Sequence, residues 1–521
     1  MSLRDQTLES AAASDDGCEG QALLSEARLS GLVDDDVDVS FLSEAMTTAK
    51  TVMSNKSGDG SELALDNLRD PNDPDDANLR AHGHEAALQR NFSPLAALGL
   101  GFSITNSWVG YLSNFGQNLI YGGPQSVVFG LLVATVVQWI ITLGLSEVAS
   151  AFPSAGGQYH FTYILAPPKH KKFAAFVIGA KIGASHALTL SLRIHRRVLY
   201  AVEPQEADTR RDFPHTIRAR YKWLEYWDCL GNGCWKRIVG EELKHLGLEG
   251  SSTSRYAYGG TDGAIHIAEE MPRPSKNIPK AMNLTMAIGF LTAFPMSLAL
   301  MFGMTSIDAV LNSSLPSAEI FYQITQSRAI VTFMMCWVIL VYYMGLASQW
   351  VTAGRMTWAF ARDRGIPFSQ FFSYVSIHRD FPVRATILSV CFCCLYGLLY
   401  LTSTTAFNSI VTGAVLYLNI TYAVPQGILF TRGRAKSLPP RALNLGALGY
   451  ACNGLAPVLV TFIGIFICFP PQLPVTVSNM NYTPVILVGL FTVILGLWYT
   501  RGEKFVGPKI DWELLNLTGC K

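Results

Sequence analysis

The chain has 521 residues, about half of them apolar and 15 % charged, with a formal net charge of +1. That balance leaves no basic footprint for nucleic acid. The ten cysteines form neither a disulfide framework nor a paired metal motif, since no second pair accompanies Cys229 and Cys234.

Residues 1–90 carry 19 acidic side chains, Asp5 to Glu85, against 7 basic ones. Such a segment cannot bury enough apolar surface to offset chain entropy, which predicts a disordered acidic tail in the cytosol. No apolar run opens the chain, so no cleavable signal peptide is expected. From Asn91 onward apolar runs recur near 95–119, 125–145, 283–304, 329–351, 383–401, 405–429, 452–469 and 483–499. Their length is that of helices crossing about 30 Å of hydrocarbon. Eight of them predict an all-α polytopic membrane protein. Cys391, Cys393 and Cys394 sit inside one run as small apolar filler.

Basic residues mark cytosolic loops. They gather at Lys169–Lys172, Arg273–Lys280, Arg355–Arg364, Arg432–Arg441 and Arg501–Lys509. The loops 117–126, 306–327 and 470–483 hold no Lys or Arg, and two of them carry glycosylation sequons at Asn312 and Asn481. Both termini are therefore expected in the cytosol. Parity then demands an even number of crossings between Lys172 and Arg273. Residues 173–192 are one candidate, weakened by Lys181 and His186. Residues 193–256 carry 21 charges and supply no span, and the only return, about 256–270, is short and contains Asp262.

Several stretches are similar to one another's counterparts in a single family. "GFSITNSWVG" (101–110), "YGGPQSVVFG" (121–130), "SEVASAFPSAGGQYHFTYILAPPKHKKFAAFVIG" (146–179), "TDGAIHIAEEMPRPSKNIPKAM" (261–282), "TWAFARDRGIPFS" (357–369) and "FPPQLPVTVSNMNY" (469–482) are the stretches concerned. Together they resemble the fungal amino acid/choline transporter family, within the amino acid–polyamine–organocation permeases. The resemblance covers about 93–180 and 258–510. It implies twelve helices, the first ten forming an inverted five-helix-repeat transporter fold. Residues 181–256 depart from it completely, so the family's helices 3–5 and the outer half of its helix 6 are disrupted or missing. A misread exon or shifted frame is the favoured account, and a genuine cytosolic insertion is the alternative. The domains expected are a tail at 1–90, helices 1–2 and the start of 3 at 91–180, an atypical charged segment at 181–256, helices 6b–12 at 257–500 and a cytosolic tail at 501–521.

Inverted-repeat carriers bind solute near the midplane, where two broken helices expose backbone groups. Such groups are tolerated only beside a cavity or ligand. Here Gly99, Gly101 and Gly110 surround Thr105, Asn106 and Ser107, and Gly259, Gly260 and Gly263 surround Thr261 and Asp262. Glycines serve close helix packing equally well. Asp262 either balances the amine of choline or an amino acid, or is solvated in a shallow helix. Trp108 and Tyr111 offer cation–π faces or plain packing. His266 relays protons or is simply packed, and Ser348 and Gln349 line the pathway or bond neighbouring helices. Glu147, Glu269 and Glu270 face basic loop residues such as Arg355, in the manner of an inner gate.

No P-loop lysine pattern is present, and no nucleophile or His/Cys cluster suggests an enzyme or a cofactor. The expectation is a proton-coupled secondary transporter of a small nitrogenous solute in the plasma membrane. Choline is favoured, and GABA or another amino acid is the alternative. A transport-dead homologue or nutrient sensor is the reading of a different class, because the missing helices would remove one wall of the cavity.

Overall fold

The computed structural model describes residues 74–81, 83, 88–183, 185–186, 255–313, 315–376, 381–397, 404–468 and 480–513. Among these the architecture is helical, with a single isolated bridge between Ser376 and Phe381 and no strand. The expectations for residues 1–73 and for 187–254 fall outside the described residues.

A first helix, α1 (Pro74–Ala81), lies where composition predicted disorder. Composition missed it because its anchors are distant in sequence. Asp75 accepts a 2.7 Å hydrogen bond from the Arg273 backbone N–H, and the Asp511 N–H donates to the Ala81 carbonyl at 2.9 Å. Leu79, Ala81 and Leu88 are buried.

The next helix, α2 (Pro94–Thr105), starts with Ser93 accepting from the Ala96 N–H at 3.1 Å and with proline in its first turn. Both features satisfy or spare the orphan donors of a helix start. It stops at Asn106, and α3 (Ser107–Ala151) begins at once. A straight helix of 45 residues would run about 68 Å, twice a bilayer. The chain instead folds back, because the Tyr111 hydroxyl donates to the Val127 carbonyl. In a straight helix those residues would stand about 24 Å apart. The corner is Gly123, at φ +63°, followed by Pro124. Only glycine takes that φ without strain, and proline removes a helical donor. The span proper runs Val127–Ala151.

Then come α4 (Gln158–Leu165) and α5 (171–183). Three short 3₁₀ turns, Arg255–Tyr258, Thr261–Ala264 and Ala268–Glu270, lead into α6 (Pro274–Gly303). The remaining helices are α7 (Ile307–Leu311), α8 (Pro316–Thr325), α9 (Arg328–Arg362), α10 (Ser369–Phe372), α11 (Val383–Gly397), α12 (Thr404–Arg432), α13 (Arg434–Ser437), α14 (Gly446–Ile467) and α15 (Thr483–Arg501).

Among the described residues 6 helices are long and apolar enough to cross a membrane. They match six of the eight runs read from sequence. The run 95–119 is split at Asn106, and the run 383–401 is represented by α11. The outward faces confirm the solvent these helices require. Phe333, Trp337, Leu340 and Tyr343 on α9 are exposed, as are Val485, Val488 and Val493 on α15. Stripes of that size are unstable in water and suited to lipid. The inward faces form two main apolar clusters. One joins α2, α3, α6, α12 and α14 around Ile104, Ile141, Ile265 and Tyr422. The other joins the two arms of α3 with α6, α8 and α9 around Tyr111, Tyr258 and Met286. The two sequons differ: Asn312 is exposed, whereas the half-buried Asn481 spends its amide N–H on the Ile467 carbonyl at 2.6 Å.

Candidate functional site

Asn106 creates the first break. It sits in left-handed geometry, φ 41° and ψ 53°, as the cap of α2, with its N–H bonded to the Phe102 carbonyl at 2.7 Å. Asparagine pays less than other non-glycine residues for this conformation. The second break is Gly260, at φ +87°, opening the Thr261–Ala264 turn. The two breaks meet through one side chain. A Cβ at Gly260 or at Gly263 would overlap Ile104, two residues before Asn106. These glycines therefore let Ile104 seat against the turn, which is a packing role combined with a backbone one.

Asp262 follows directly and has no solvent exposure. Four side chains converge on its carboxylate. The Gln158 amide donates to Oδ2 at 2.8 Å and the Tyr422 hydroxyl to Oδ1 at 2.7 Å. His186 Nε2 and His266 Nε2 each stand 3.3 Å from Oδ2. On its far side His266 Nδ1 faces the Ala155 carbonyl at 2.9 Å. A buried carboxylate is stable only when hydrogen-bonded and electrostatically matched, and this one has donors on both oxygens. The donor atoms of His186, Asp262 and His266 lie within 4.8 Å of one another, close enough to share a small cation. Gln158 and Tyr422, by contrast, present hydrogens to the same carboxylate.

A second polar group lies around Tyr258. Its hydroxyl is 2.8 Å from Thr135 Oγ1, and Thr142 Oγ1 is 3.4 Å from Thr261 Oγ1. Thr135, Gln138 and Thr142 share one face of α3 by helical spacing. Gln138 therefore looks toward the Tyr258–Thr261 stretch. Both of its side-chain polar atoms are buried without a partner among the described residues, as are Ser107 Oγ, Thr285 Oγ1 and Gln349 Oε1. Ser107 Oγ and the Tyr258 ring both border Gly289. Buried polar atoms without partners cost about 1–3 kcal/mol each, and Ser107 Oγ, the residue after the Asn106 break, is among them.

The other residues singled out in the sequence occupy definite places. Thr105 satisfies itself on the Phe102 carbonyl at 3.0 Å. Trp108 packs, half-buried, on the Tyr111–Tyr258 cluster, and Tyr111 is fully buried there. Neither forms an open cage. Gly259 immediately precedes Gly260, which caps the Thr261–Ala264 turn. Ser348 lies 2.5 Å from Ser103, binding α9 to α2.

The acidic residues form a layer of ion pairs at the basic end of the bundle. Glu147 meets Arg434 and Arg441, the latter at 2.7 Å. Glu269 takes a two-pronged Arg362 at 3.0 Å on both arms, and Arg355 grips Glu270 at 2.5 and 2.7 Å. The partner of Arg355 is thus Glu270, and the pairs are buried rather than superficial. Beside them Asp363 accepts from the Tyr159 hydroxyl at 3.0 Å and lies 2.7 Å from His160 Nε2, whose Nδ1 is 2.6 Å from Ser154 Oγ. Burial and the Asp363 carboxylate hold the Tyr159 phenol well above its ordinary value, so it stays a donor.

Sequence reasoning missed Gln158, Tyr422, Gln138, Arg362, Arg434 and Asp363 as site residues. One signal for Tyr422 was available: the Gly413–Arg432 span is the least apolar of the six and the most buried. Polar residues inside an apolar run point inward.

A family model described as "Amino acid permease" matches residues 230–491. Relatives include a choline transporter of Saccharomyces cerevisiae, 29 % identical over 482 residues and covering 83 % of this chain and 85 % of that protein. An amino-acid permease BAT1 homolog of Oryza sativa subsp. japonica is 26 % identical over 496 residues, covering 83 % and 95 %. Amino-acid permease 2 of Neurospora crassa is 24 % identical over 485 residues, covering 83 % and 89 %. Among solved structures, a manganese transporter of Eremococcus coleocola aligns over 79 % of this chain and 93 % of its own at 9 % identity, with a TM-score of 0.42.

Proposed function

The chain belongs to the amino acid permease family, whose members are transporters and not enzymes, and from that premise we propose that it carries choline or a related amine across the plasma membrane. The carrying observation is the meeting of the two helix breaks through Ile104, Gly260 and Gly263, together with buried polar atoms of Ser107 and Gln138 that have no partner among the described residues. Substrate would bind between the breaks, with Asn106, Ser107, Thr261 and Gln138 supplying hydrogen bonds. Alternating access in an inverted five-helix-repeat frame would then open one side at a time. Both termini lie in the cytosol, and the buried pairs Glu147–Arg434, Glu269–Arg362 and Glu270–Arg355 close the inner side. A proton gradient supplies the energy. The relative named as a choline transporter favours choline, while the permeases among the relatives favour an amino acid such as GABA as the second reading.

The test is uptake by cells expressing the full chain, offered labelled choline, GABA and neutral amino acids in parallel at pH 5.5 and 7.5. Choline accumulation that collapses with a protonophore supports the proposal. Accumulation of an amino acid alone moves the substrate to the second reading. Surface-localised protein that accumulates none of them supports the transport-dead reading.

A further inference from the structure

We propose that His186, Asp262 and His266 bind a divalent metal ion of the zinc type, which clasps the broken element to the chain just past α5. The inference stands apart from the transport reading, and its test reads no uptake.

The three side chains come from two places in the sequence. Asp262 and His266 are four positions apart on the broken element. His186 reaches them from 76 positions before Asp262, which is why no spacing motif announced the group. The histidines are at most 1 % exposed and Asp262 not at all. One atom from each of the three lies within 4.8 Å of the others.

Hydrogen bonds alone satisfy this arrangement poorly. An ionised carboxylate oxygen offers two lone pairs. At Oδ2 the Gln158 amide N–H takes one, at 2.8 Å. Two imidazole nitrogens compete for the other, and both stop at 3.3 Å. A charge-assisted N–H···O bond would close to about 2.7–2.9 Å. The observed spacing is instead the edge of a tetrahedron whose corners stand about 2.0–2.1 Å from a central ion, the reach of nitrogen and oxygen ligands on zinc.

His266 gives an independent sign. Its Nδ1 lies 2.9 Å from the Ala155 carbonyl, which only accepts, so that nitrogen carries the hydrogen. Nε2 of the neutral ring then aims a lone pair at Asp262 Oδ2. Two lone pairs facing each other in a site without solvent repel unless a cation lies between them. A metal-bound imidazole normally has its far N–H held in this way by a backbone carbonyl or carboxylate, and a ligating carboxylate is itself hydrogen-bonded. Tyr422 holds Asp262 from behind, donating to Oδ1 at 2.7 Å.

The donor set selects the ion. Two imidazoles and one carboxylate suit zinc and its first-row neighbours, whereas calcium and magnesium favour sites built wholly of oxygen. Three protein ligands leave the fourth corner to water. The bound ion fixes the 262–266 stretch against His186 and orients the His266 ring on Ala155. The segment after α3 is thereby held to the same centre, since Gln158 also bonds Asp262.

The experiment uses the purified full chain in detergent, stripped with EDTA, dialysed, and titrated with zinc chloride against a chromophoric chelator. One tight equivalent is expected. Cobalt chloride in its place should give the visible bands of a four-coordinate ion with nitrogen and oxygen ligands. Hydrogen exchange locates the ion. At free zinc of about 100 times the Kd, exchange through openings that break the site slows about a hundredfold. That protection should appear at the amides of residues 155–158 and 261–268, and not at 485–500. Tyr422→Phe removes only the bond behind the carboxylate and should weaken zinc about tenfold. His266→Gln and Asp262→Asn each remove a ligand and should weaken it about a hundredfold or more. The exposed His170 is the control, and His170→Gln should leave binding unchanged. Weak binding of several equivalents, protection confined to other segments, or tight binding that survives both ligand variants overturns the proposal. Should those variants fail to fold, the cobalt spectrum and the exchange map of the wild-type chain decide.

Discussion

Removing one partner of the Glu270–Arg355 pair is the perturbation whose size the structure fixes best. The side chains are 3 % and 4 % exposed, so water does little to screen them, unlike a surface pair worth under about 1 kcal/mol. Arg355→Met leaves the Glu270 carboxylate buried with no cation, at a cost of about 3–5 kcal/mol. Glu270→Met leaves the guanidinium, which still lies 4.7 Å from the Phe381 ring centroid. That contact is worth up to about 2 kcal/mol when desolvated, so this variant should lose less. The double Met variant removes both charges and keeps the volume, and should recover most of the loss, giving a coupling of about 2–4 kcal/mol. The assay is hydrogen exchange at the Phe92 and Glu270 amides, which report local opening because the Phe92 N–H is bonded to the Glu270 carbonyl. Additive single effects, or an Arg355→Met loss below about 1 kcal/mol, would refute the claim that this pair closes the inner side.

Gly260→Ala combines a left-handed φ, about 1–2 kcal/mol, with overlap on the stiff Ile104 branch, about 1–3 kcal/mol; a thermal midpoint in detergent should drop clearly, and Ile104→Ala should remove part of the added loss. Asn106→Gly keeps the break and should retain surface expression and uptake, whereas Asn106→Val forces a β-branched residue into the left-handed region and should lower both. Gln138→Ala removes a buried amide that has no partner among the described residues, so stability should hold or rise while the KM for the transported solute increases about tenfold or more, measured by concentration-dependent uptake. An unchanged KM there would separate Gln138 from the substrate.

What the sequence made legible was periodic or compositional. Apolar runs placed the spans, because a membrane helix must hide its backbone and show lipid an apolar surface. Glycine clusters located both breaks, since Gly260 needs its left-handed φ and Gly263 must admit Ile104. The corner at Gly123–Pro124 was read only as part of a loop, 117–126, without Lys or Arg. Pairings were not legible. Asp262 meets Gln158 and Tyr422, 104 and 160 positions away, and nothing local in either run announces the partner. Choosing Arg355 as a gate residue was possible from its loop, but choosing Glu270 over Glu269 depends on which way a 3₁₀ turn aims two adjacent carboxylates. The helix α1 was missed because its anchors, Arg273 and Asp511, lie in other parts of the chain.

The geometry also divides labour between two polar groups that the sequence treated as one. From sequence Asp262 was either a counter-ion for a substrate amine or a solvated residue of a shallow helix. In the structure its oxygens face four side chains and no solvent, so an incoming ammonium would first have to break the bonds that hold α4 and α12 to the turn. Ser107 Oγ and both side-chain polar atoms of Gln138 are in the opposite condition: buried, and without a hydrogen-bond partner among the described residues. Energetically a ligand gains most where it relieves unsatisfied groups and least where it displaces satisfied ones. On that ground the proposed solute site lies on the Ser107–Gln138–Tyr258 side of the break rather than at Asp262. The Asp262 side ties the turn to the 155–158 segment, which is bonded in turn to Glu269 through the Ala155 N–H. A quaternary amine bound on the Tyr258 side would be recognised through its hydroxyl and an aromatic face, without any need for a carboxylate.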